Sequence, residues 1–495
     1  MHLIVKCFFF LPYYECTRVS DSFLILHSRV LAEGSSSCTG SWQSGVGWWR
    51  RLNQELRPVS ELPAGPGAQP QPESWDEAGD KGKDERTEGR APRACPARGS
   101  QGQSAVFQPV NWRVWEETDE SATAAEASPP FTTASMDLTV MSYNVLAQDL
   151  LEANGELYTH CPLEVLDWSN RCRLLLDEIQ KWKPDILCLQ EVQENHYHQQ
   201  LCPVLSDMGY TCVFKRRTGT KTDGCATCYR SSGFSEVSVA TLEFFKPEVA
   251  PLDRHNVAIV LLLRLVFTEG SEVKARGLPL CVANTHLLFN PRRGDVKLAQ
   301  LAVMLAEIDR VVKSCKAKGE DCNIILCGDF NSVPQKPLYQ LITTGELYFQ
   351  GLPAWMRSCQ RKAIVADCTP PLWSGSLGVT DGCQYTTAED AWKILCHRFG
   401  HTVSHRFDLQ SVYKHILPGF GNPEVTTLHS EGAATVDYIF YTPKPGDLSA
   451  GLKLIGSLSL LSEDVLWSLK GLPNHMFPSD HLSLLAKFRL DLNAA

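Results

Sequence analysis

An α/β fold of two β-sheets with helices on the outside is the architecture this 495-residue chain predicts, and three observations lead to it. Short runs of β-branched and aliphatic residues outnumber the helical stretches. The two kinds follow one another in mixed order, which argues against a doubly wound parallel sheet. Several runs also end in a polar cluster, as strands do when they deliver side chains to the rim of a sheet.

Ordered structure is expected to begin near Met136. Leu138 to Asn144 alternates and reads as a strand. Asn170 is placed as the cap of a helix carrying Leu174, Leu175, Ile179 and Trp182 on one face, and Pro184 stops it. Asp185 to Gln190 is a short apolar strand of the kind found in a sheet covered on both faces. Strands follow at about 210–216, 237–245, 256–265 and 279–285. Asp295 to Lys313 is the clearest helix, with Leu301, Met304, Leu305, Ile308, Val311 and Val312 at helical spacing. Asn323 to Cys327 is a buried strand that runs into a Gly328-Asp329 turn. Residues 345–405 read as a loop-rich insertion, and Val436 to Tyr441 and His481 to Phe488 supply the last strands.

Two regions result. Residues 1–135 are expected to be disordered or weakly ordered, and residues 136–495 form the folded domain. From about Pro58 to Ser135 the composition is rich in Pro, Gly, Ser, Glu, Arg and Ala, too little apolar surface to offset the entropy of ordering. Trp48, Trp49, Trp112 and Trp115 are exceptions, either docking aromatics for a partner or residues that pack back on the domain.

The apolar fraction of 43% is enough for a sizeable core. A net charge of -9 argues against a general electrostatic grip on nucleic acid. It is compatible with a nucleic-acid enzyme, whose carboxylates local basic groups and a bound metal can offset. The 19 cysteines form no regular framework. Cys188, Cys281 and Cys327 fall inside predicted strands and behave as small hydrophobes. Cys225-x-x-Cys228 lacks the second pair that a zinc site would need, so reduced thiols are expected. Cys7 to Pro12 is short for a signal sequence, and Val257 to Leu263 is far too short to span a bilayer. We expect a soluble cytoplasmic protein, with perinuclear or endomembrane surfaces as places where it could concentrate.

The polar clusters carry the chemistry. Glu191 follows an apolar run, and a carboxylate there is costly unless paired or metal-bound. Alone it fits a cap or a salt bridge; with Asn144 and Asp480 also at strand ends, a metal site is preferred. Oxygen donors favour Mg²⁺ or Mn²⁺ over zinc. Gly328-Asp329-Phe330-Asn331 could be a plain tight turn, yet it sets an acid and an amide two residues apart, where Asp329 can take a proton from water while Asn331 holds it. His286 and His481 each follow a polar residue at a strand boundary and suit stabilisation of a charged phosphoryl transition state. Asp437 could fix the tautomer of one imidazole. Arg292 and Arg293 are either a solvated helix entry or phosphate contacts. Lys221 and Asp223 form a second candidate loop at the rim.

Together SYNVLAQ, LYTHCP, LQEV, KTDGCA, VANTHL, GDFNSVP, VDYIF and SDH resemble the endonuclease/exonuclease/phosphatase superfamily, and within it the deadenylase–nocturnin branch. NPRRGDVKLAQ, GLPAW and LSLLSE are similar to the protein angel homologue group. The resemblance runs from about residue 136 to 490. It implies a DNase I-like four-layer α/β sandwich with the site at one sheet edge. It also implies Mg²⁺ held chiefly by Glu191 with Asn144 and Asp480 nearby, Asp329 activating water, Asn331 orienting it, His481 with Asp437 at the attacked phosphate, and His286 at a phosphate or leaving oxygen. Asn284, Pro291, Arg292, Arg293, Lys221 and Asp223 are the candidate substrate contacts. One departure concerns substrate: poly(A)-specific members place an aromatic residue just before the Asp of the DYIF motif, and Ser430 to Val436 holds none. Base stacking is worth roughly 1–3 kcal/mol, so RNA 3′ ends in general are expected over poly(A) tails, and the resemblance to the angel group implies 2′,3′-cyclic phosphate ends among them. The second departure is the 345–405 region, which looks shortened or irregular against the family.

The alternative from another class is a non-catalytic adaptor that binds a translation initiation factor through residues 1–135. Its one sequence signal, Tyr158-x4-Leu163, lies in the folded domain instead and is followed by Glu164.

Overall fold

The computed structural model describes residues 113–118, 135–247, 249–269, 272–348, 383–385, 402–417, 421–444 and 451–491. The strands are β1 (Trp115–Glu117), β2 (Ser135–Asn144), β3 (Ile186–Gln193), β4 (Tyr210–Arg216), β5 (Asp223–Arg230) and β6 (Phe234–Glu243). Next come β7 (Val257–Glu269), β8 (Glu272–His286), β9 (Asn323–Asp329), β10 (Glu346–Tyr348), β11 (Cys383–Tyr385) and β12 (Thr402–His405). The last are β13 (Gln410–Ser411), β14 (Thr427–His429), β15 (Gly432–Ala434), β16 (Asp437–Tyr441), β17 (Leu452–Leu458) and β18 (Leu484–Asp491). Two long helices matter here, α1 (Trp168–Trp182) and α2 (Gly294–Lys316).

One sheet of seven strands has the order β1-β17-β18-β2-β3-β5-β4, and one of six has the order β13-β16-β9-β8-β7-β6. Alternation along the strands sorts their side chains into three apolar layers. Leu138, Val140, Ile186 and Phe488 of the first sheet meet Ile259, Leu261, Val282 and Ile439 of the second. Met141, Tyr143, Leu187 and Leu189 face the other way, onto Leu175 and Ile179 of α1. Val260, Leu262, Ala283 and Leu326 likewise pack on Leu298, Leu301, Leu305 and Ile308 of α2. Helix, sheet, sheet, helix: the four-layer sandwich holds. Each fully buried Leu or Ile contributes about 1.5–3 kcal/mol, so the layers are the main source of stability.

Several local expectations need correcting. The cap of α1 is Asp167, whose carboxylate accepts from Ser169 N at 2.8 Å; Asn170 lies in the first turn and accepts from Arg173 instead. Neither β5 nor β17 is among the expected strands; in β5, Gly224, Ala226 and Thr227 form no aliphatic run. Within 1–135, Arg113–Thr118 is not loose: β1 pairs antiparallel with β17, and Trp115 packs beside Trp182. Within 345–405, β10, β11 and β12 form a three-stranded sheet. Residues 1–112, with Cys7 to Pro12, Trp48, Trp49 and Trp112, lie outside the described residues, as do 349–382 and 386–401. Among the described residues no helix is long and apolar enough to cross a membrane.

Candidate active site

Strand register assembles the site. His286 at the end of β8 is level with Asp329 at the end of β9, and Asp329 is level with Asp437 at the start of β16. The backbones approach closely here: a Cβ on Gly328, whose φ is 149°, would meet Thr285 O at 2.1 Å. From the other sheet, Asn144 of β2 is level with Gln190 of β3. One residue later a bulge interrupts β3, and Glu191 adopts a left-handed φ of 54°. That conformation is strained for a residue with a side chain. It turns the carboxylate inward, where Oε1 accepts from Asn144 Nδ2 at 3.1 Å and Oε2 from Ala147 N at 3.2 Å.

Asp329 is the hub. Its Oδ2 accepts from Asn144 Nδ2 at 3.1 Å, and its Oδ1 accepts from Asn331 N at 2.8 Å. His286 Nε2 stands 3.5 Å and His481 Nε2 3.9 Å from the same Oδ2. His481 Nδ1 donates to Asp437 Oδ2 at 2.8 Å, so the opposite nitrogen faces both Asp329 and, at 4.0 Å, Asp480 Oδ1. The Asp480 Oδ2 atom accepts from the hydroxyl of buried Tyr158 at 2.9 Å. Asn331, with φ 49°, directs Nδ2 to Leu287 O at 3.1 Å and to His286 Nε2 at 3.0 Å. The carbonyl fixes the amide's orientation, so Nε2 accepts and the proton of a neutral His286 sits on Nδ1. That Nδ1 is buried with no protein partner, 4.0 Å from Glu191 Oε1.

The electrostatics follow from crowding. Burial pushes Glu191 up to about 7, helped by the negative charges of Asp480 and Asp223. Asp329 is raised by burial and then by Asp437. His286 is held well below its usual range by burial, with the charges of Arg217 and His481 adding to it. His481 goes the other way: burial lowers it, but Asp437, Asp480 and Asp329 outweigh burial and keep it an imidazolium. One imidazole is neutral and its neighbour charged.

Glu191, its proton affinity raised by burial and by the charge of Asp480, is the kind of carboxylate a hard divalent cation would relieve. Glu191 and Asp480 are the carboxylates that would hold it. Asp329, Asp437 and His481 also bring ligand atoms within 4.8 Å of one another, but the bond from His481 Nδ1 to Asp437 already occupies that trio. Asn144 commits one lone pair of its oxygen to the backbone and keeps the other. Its Oδ1 accepts from Leu146 N at 3.0 Å, and its amide N–H groups bridge Glu191 and Asp329.

The candidate substrate contacts divide. Asn284 is fully buried between the sheets: Nδ2 donates to Leu189 O, Ala226 O and Thr227 Oγ1, and Oδ1 accepts from Gln190 at 2.9 Å. Lying two residues before His286 it shares that face but sits one step deeper, so it clamps the sheets and does not reach a substrate. Asp223 is buried too, ion-paired with Arg217. Lys221 is exposed, and its carbonyl accepts from Arg216. Arg293 pairs with Asp295 at 3.0 Å, Arg292 is exposed, and Pro291 is half-buried beside them. Tyr158 is too buried to serve in a linear docking motif, although Leu163 is exposed. Cys225 and Cys228 point into different core layers and cannot share a ligand.

Sequence reasoning passed over Arg217, Lys297 and Arg171. Arg217 is the cation whose charge reaches His286. Lys297 is buried, and its ammonium donates to Asn331 O at 2.7 Å. A signal existed for the last two: each basic residue falls on the apolar stripe of its helix, where a charge needs a reason.

The chain belongs to the endonuclease/exonuclease/phosphatase family, whose profile matches residues 141–481. Among curated proteins it is 46% identical over 387 residues to protein angel homolog 2 of Homo sapiens, covering 72% of this chain and 70% of that one. To protein angel homolog 1 of Rattus norvegicus it is 41% identical over 464 residues, covering 78% and 68%. A crystal structure of ANGEL2, described as a 2′,3′-cyclic phosphatase in complex with adenosine-2′,3′-vanadate, superposes with a TM-score of 0.63. It shares 46% identity and covers 77% of this chain and 99% of its own.

Proposed function

We propose that this chain is a Mg²⁺-dependent phosphoesterase acting on RNA 3′ ends, with hydrolysis of 2′,3′-cyclic phosphates favoured over 3′–5′ trimming and Mn²⁺ as the alternative ion. The observation that carries the reading is the convergence of Glu191, Asp329 and Asp480 on the imidazoles of His286 and His481. The likeness to a 2′,3′-cyclic phosphatase supports the substrate class. So does the β14–β15 hairpin, which offers no Phe, Tyr or Trp to stack on adenine.

A cation bound by Glu191 and Asp480 would supply charge to polarise the phosphoryl oxygens. Asp329 accepts the proton of the attacking water through Oδ2, and its raised proton affinity suits a base working near neutral pH. Asn331, with its N–H groups occupied, has Oδ1 left to accept from that water. The Nε2–H of His481 donates to a phosphoryl oxygen, where negative charge builds as water adds and the bond to the ribose oxygen breaks. His286 Nδ1–H is the further hydrogen-bond donor, for phosphate or leaving oxygen, and the ribose oxygen takes its proton from solvent as it leaves. Cytoplasmic RNA metabolism is the setting we propose for it.

The test sets two end-labelled RNAs side by side, one ending in a 2′,3′-cyclic phosphate and one in 3′-hydroxyl oligo(A), each with Mg²⁺ or EDTA. Faster Mg²⁺-dependent loss of the cyclic end is the expected result. Preferential shortening of oligo(A) would reverse the substrate assignment, and two unchanged RNAs would remove the catalytic one.

A further inference from the structure

Among the described residues Arg171 is the largest of the fully buried side chains, 1% exposed, and no carboxylate of those residues pairs with it. Its Nη1 donates to Val145 O at 3.1 Å and to Pro478 O at 3.2 Å. The second terminal nitrogen, Nη2, donates to Leu146 O at 2.9 Å and to Gln148 Oε1 at 2.8 Å. The carbonyls belong to two loops far apart in sequence. Val145 and Leu146 follow Asn144, and Pro478 precedes Ser479-Asp480-His481. The loops meet again where Ser479 Oγ donates to Asn144 O at 2.7 Å, and the same Oγ accepts from His481 N at 3.1 Å.

Trp168, one turn earlier on α1, lies with its ring 5.2 Å from the guanidinium carbon. Its own indole N–H donates to Gln200 at 2.6 Å, and His196 stacks on it at 4.2 Å. The guanidinium is therefore pinned from below and forked above. Burying an unpaired cation is expensive; here Asp480 and Glu191 act on it through space without contact. A residue kept at that expense needs a geometric purpose.

We propose that Arg171 is a positioning residue that sets the loop bearing Asp480 and His481 in register with the loop bearing Asn144, and so fixes the distances among the groups that surround the reacting phosphate. Its planar fork reaches three backbone carbonyls at once, which an ammonium on a shorter stem cannot do. The inference deepens the phosphoesterase reading and rests on it for its kinetic arm alone.

The experiment uses the full chain as wild type, Arg171→Met, Arg171→Lys and, as a control on the exposed face of α1, Arg173→Lys. Turnover of cyclic-phosphate RNA is normalised to the folded fraction, and backbone amide exchange is followed by mass spectrometry. Misplacement of about 1 Å is enough to lower turnover roughly 100-fold, so Arg171→Met is expected to lose that much kcat with KM within about threefold. Arg171→Lys is expected to regain only part of it, and Arg173→Lys to match wild type. Segments 145–148 and 478–482 exchange faster in the Arg171 variants while 258–263 stays protected. Turnover per folded molecule within about threefold of wild type, or exchange that rises evenly across the chain, overturns the proposal. If Arg171→Met does not fold, Arg171→Lys decides. If wild type itself is inactive, the phosphoesterase reading falls, and the exchange pattern still judges Arg171.

Discussion

Replacing Asp437 with Asn isolates the charge on His481 while leaving the shape of the site intact. In the structure the carboxylate accepts from His481 Nδ1 at 2.8 Å, and it is the strongest of three acidic neighbours that keep the ring protonated against burial. A charge-assisted hydrogen bond of this kind contributes roughly 1.5–3 kcal/mol. At about 1.4 kcal/mol per decade, its loss corresponds to a rate about 10- to 150-fold lower at neutral pH. The sign with pH follows. Without Asp437 the affinity of His481 for its proton falls, so the imidazolium returns only as the solution is acidified. Single-turnover hydrolysis of cyclic-phosphate RNA from about pH 6 to about pH 8 should show the variant-to-wild-type rate ratio rising as pH falls. A folded Asp437→Asn protein within about threefold of wild type, with a flat ratio, would refute the assignment of a charged His481.

Three other outcomes are expected. Asn284→Ala leaves Gln190 and two strand carbonyls short of a partner, and at about 1–3 kcal/mol per buried unsatisfied group urea denaturation should show a loss of about 3 kcal/mol or more; raised KM at full stability would instead restore Asn284 to the substrate. Metal-free protein should lose stability as pH rises from 4.5 to about 7, because folded Glu191 binds its proton more tightly than the unfolded chain does. Added Mg²⁺ should flatten that slope, and identical slopes with Mg²⁺ and with EDTA would count against an ion at Glu191. Arg113→Ala removes the donors to Ser483 Oγ, Ser483 O and Ser459 O and leaves Glu178 without its ion pair at 3.7 Å; breaking a buried ion pair costs about 3–5 kcal/mol, and unchanged denaturation would show that the 113–118 segment is dispensable.

The sequence exposed the site because strand ends are legible. Asn144, Glu191, His286, Asp329 and Asp437 each close or open a run of aliphatic residues, and sheet register then leaves them little choice of position. Depth is not legible in the same way. Asn284 and His286 carry the same alternation signal, yet one ends between the sheets and the other at the rim. Orientation is hidden too: no pattern in the sequence shows that the amide N–H groups of Asn144 bridge Glu191 and Asp329. β5 was missed because close packing against neighbouring strands, as at Gly224, asks for small residues where a strand pattern looks for large ones. Arg171 and Lys297 were hidden inside good helical periodicity, where only their charge betrayed them.

The most direct measurement is the turnover of a 2′,3′-cyclic-phosphate RNA by wild type and by Glu191→Ala across a Mg²⁺ titration. Wild-type activity is expected to saturate with Mg²⁺, and the folded variant to keep little residual rate at any concentration tested. A Glu191→Ala protein that keeps full activity, or a wild-type rate that EDTA leaves unchanged, would contradict that expectation.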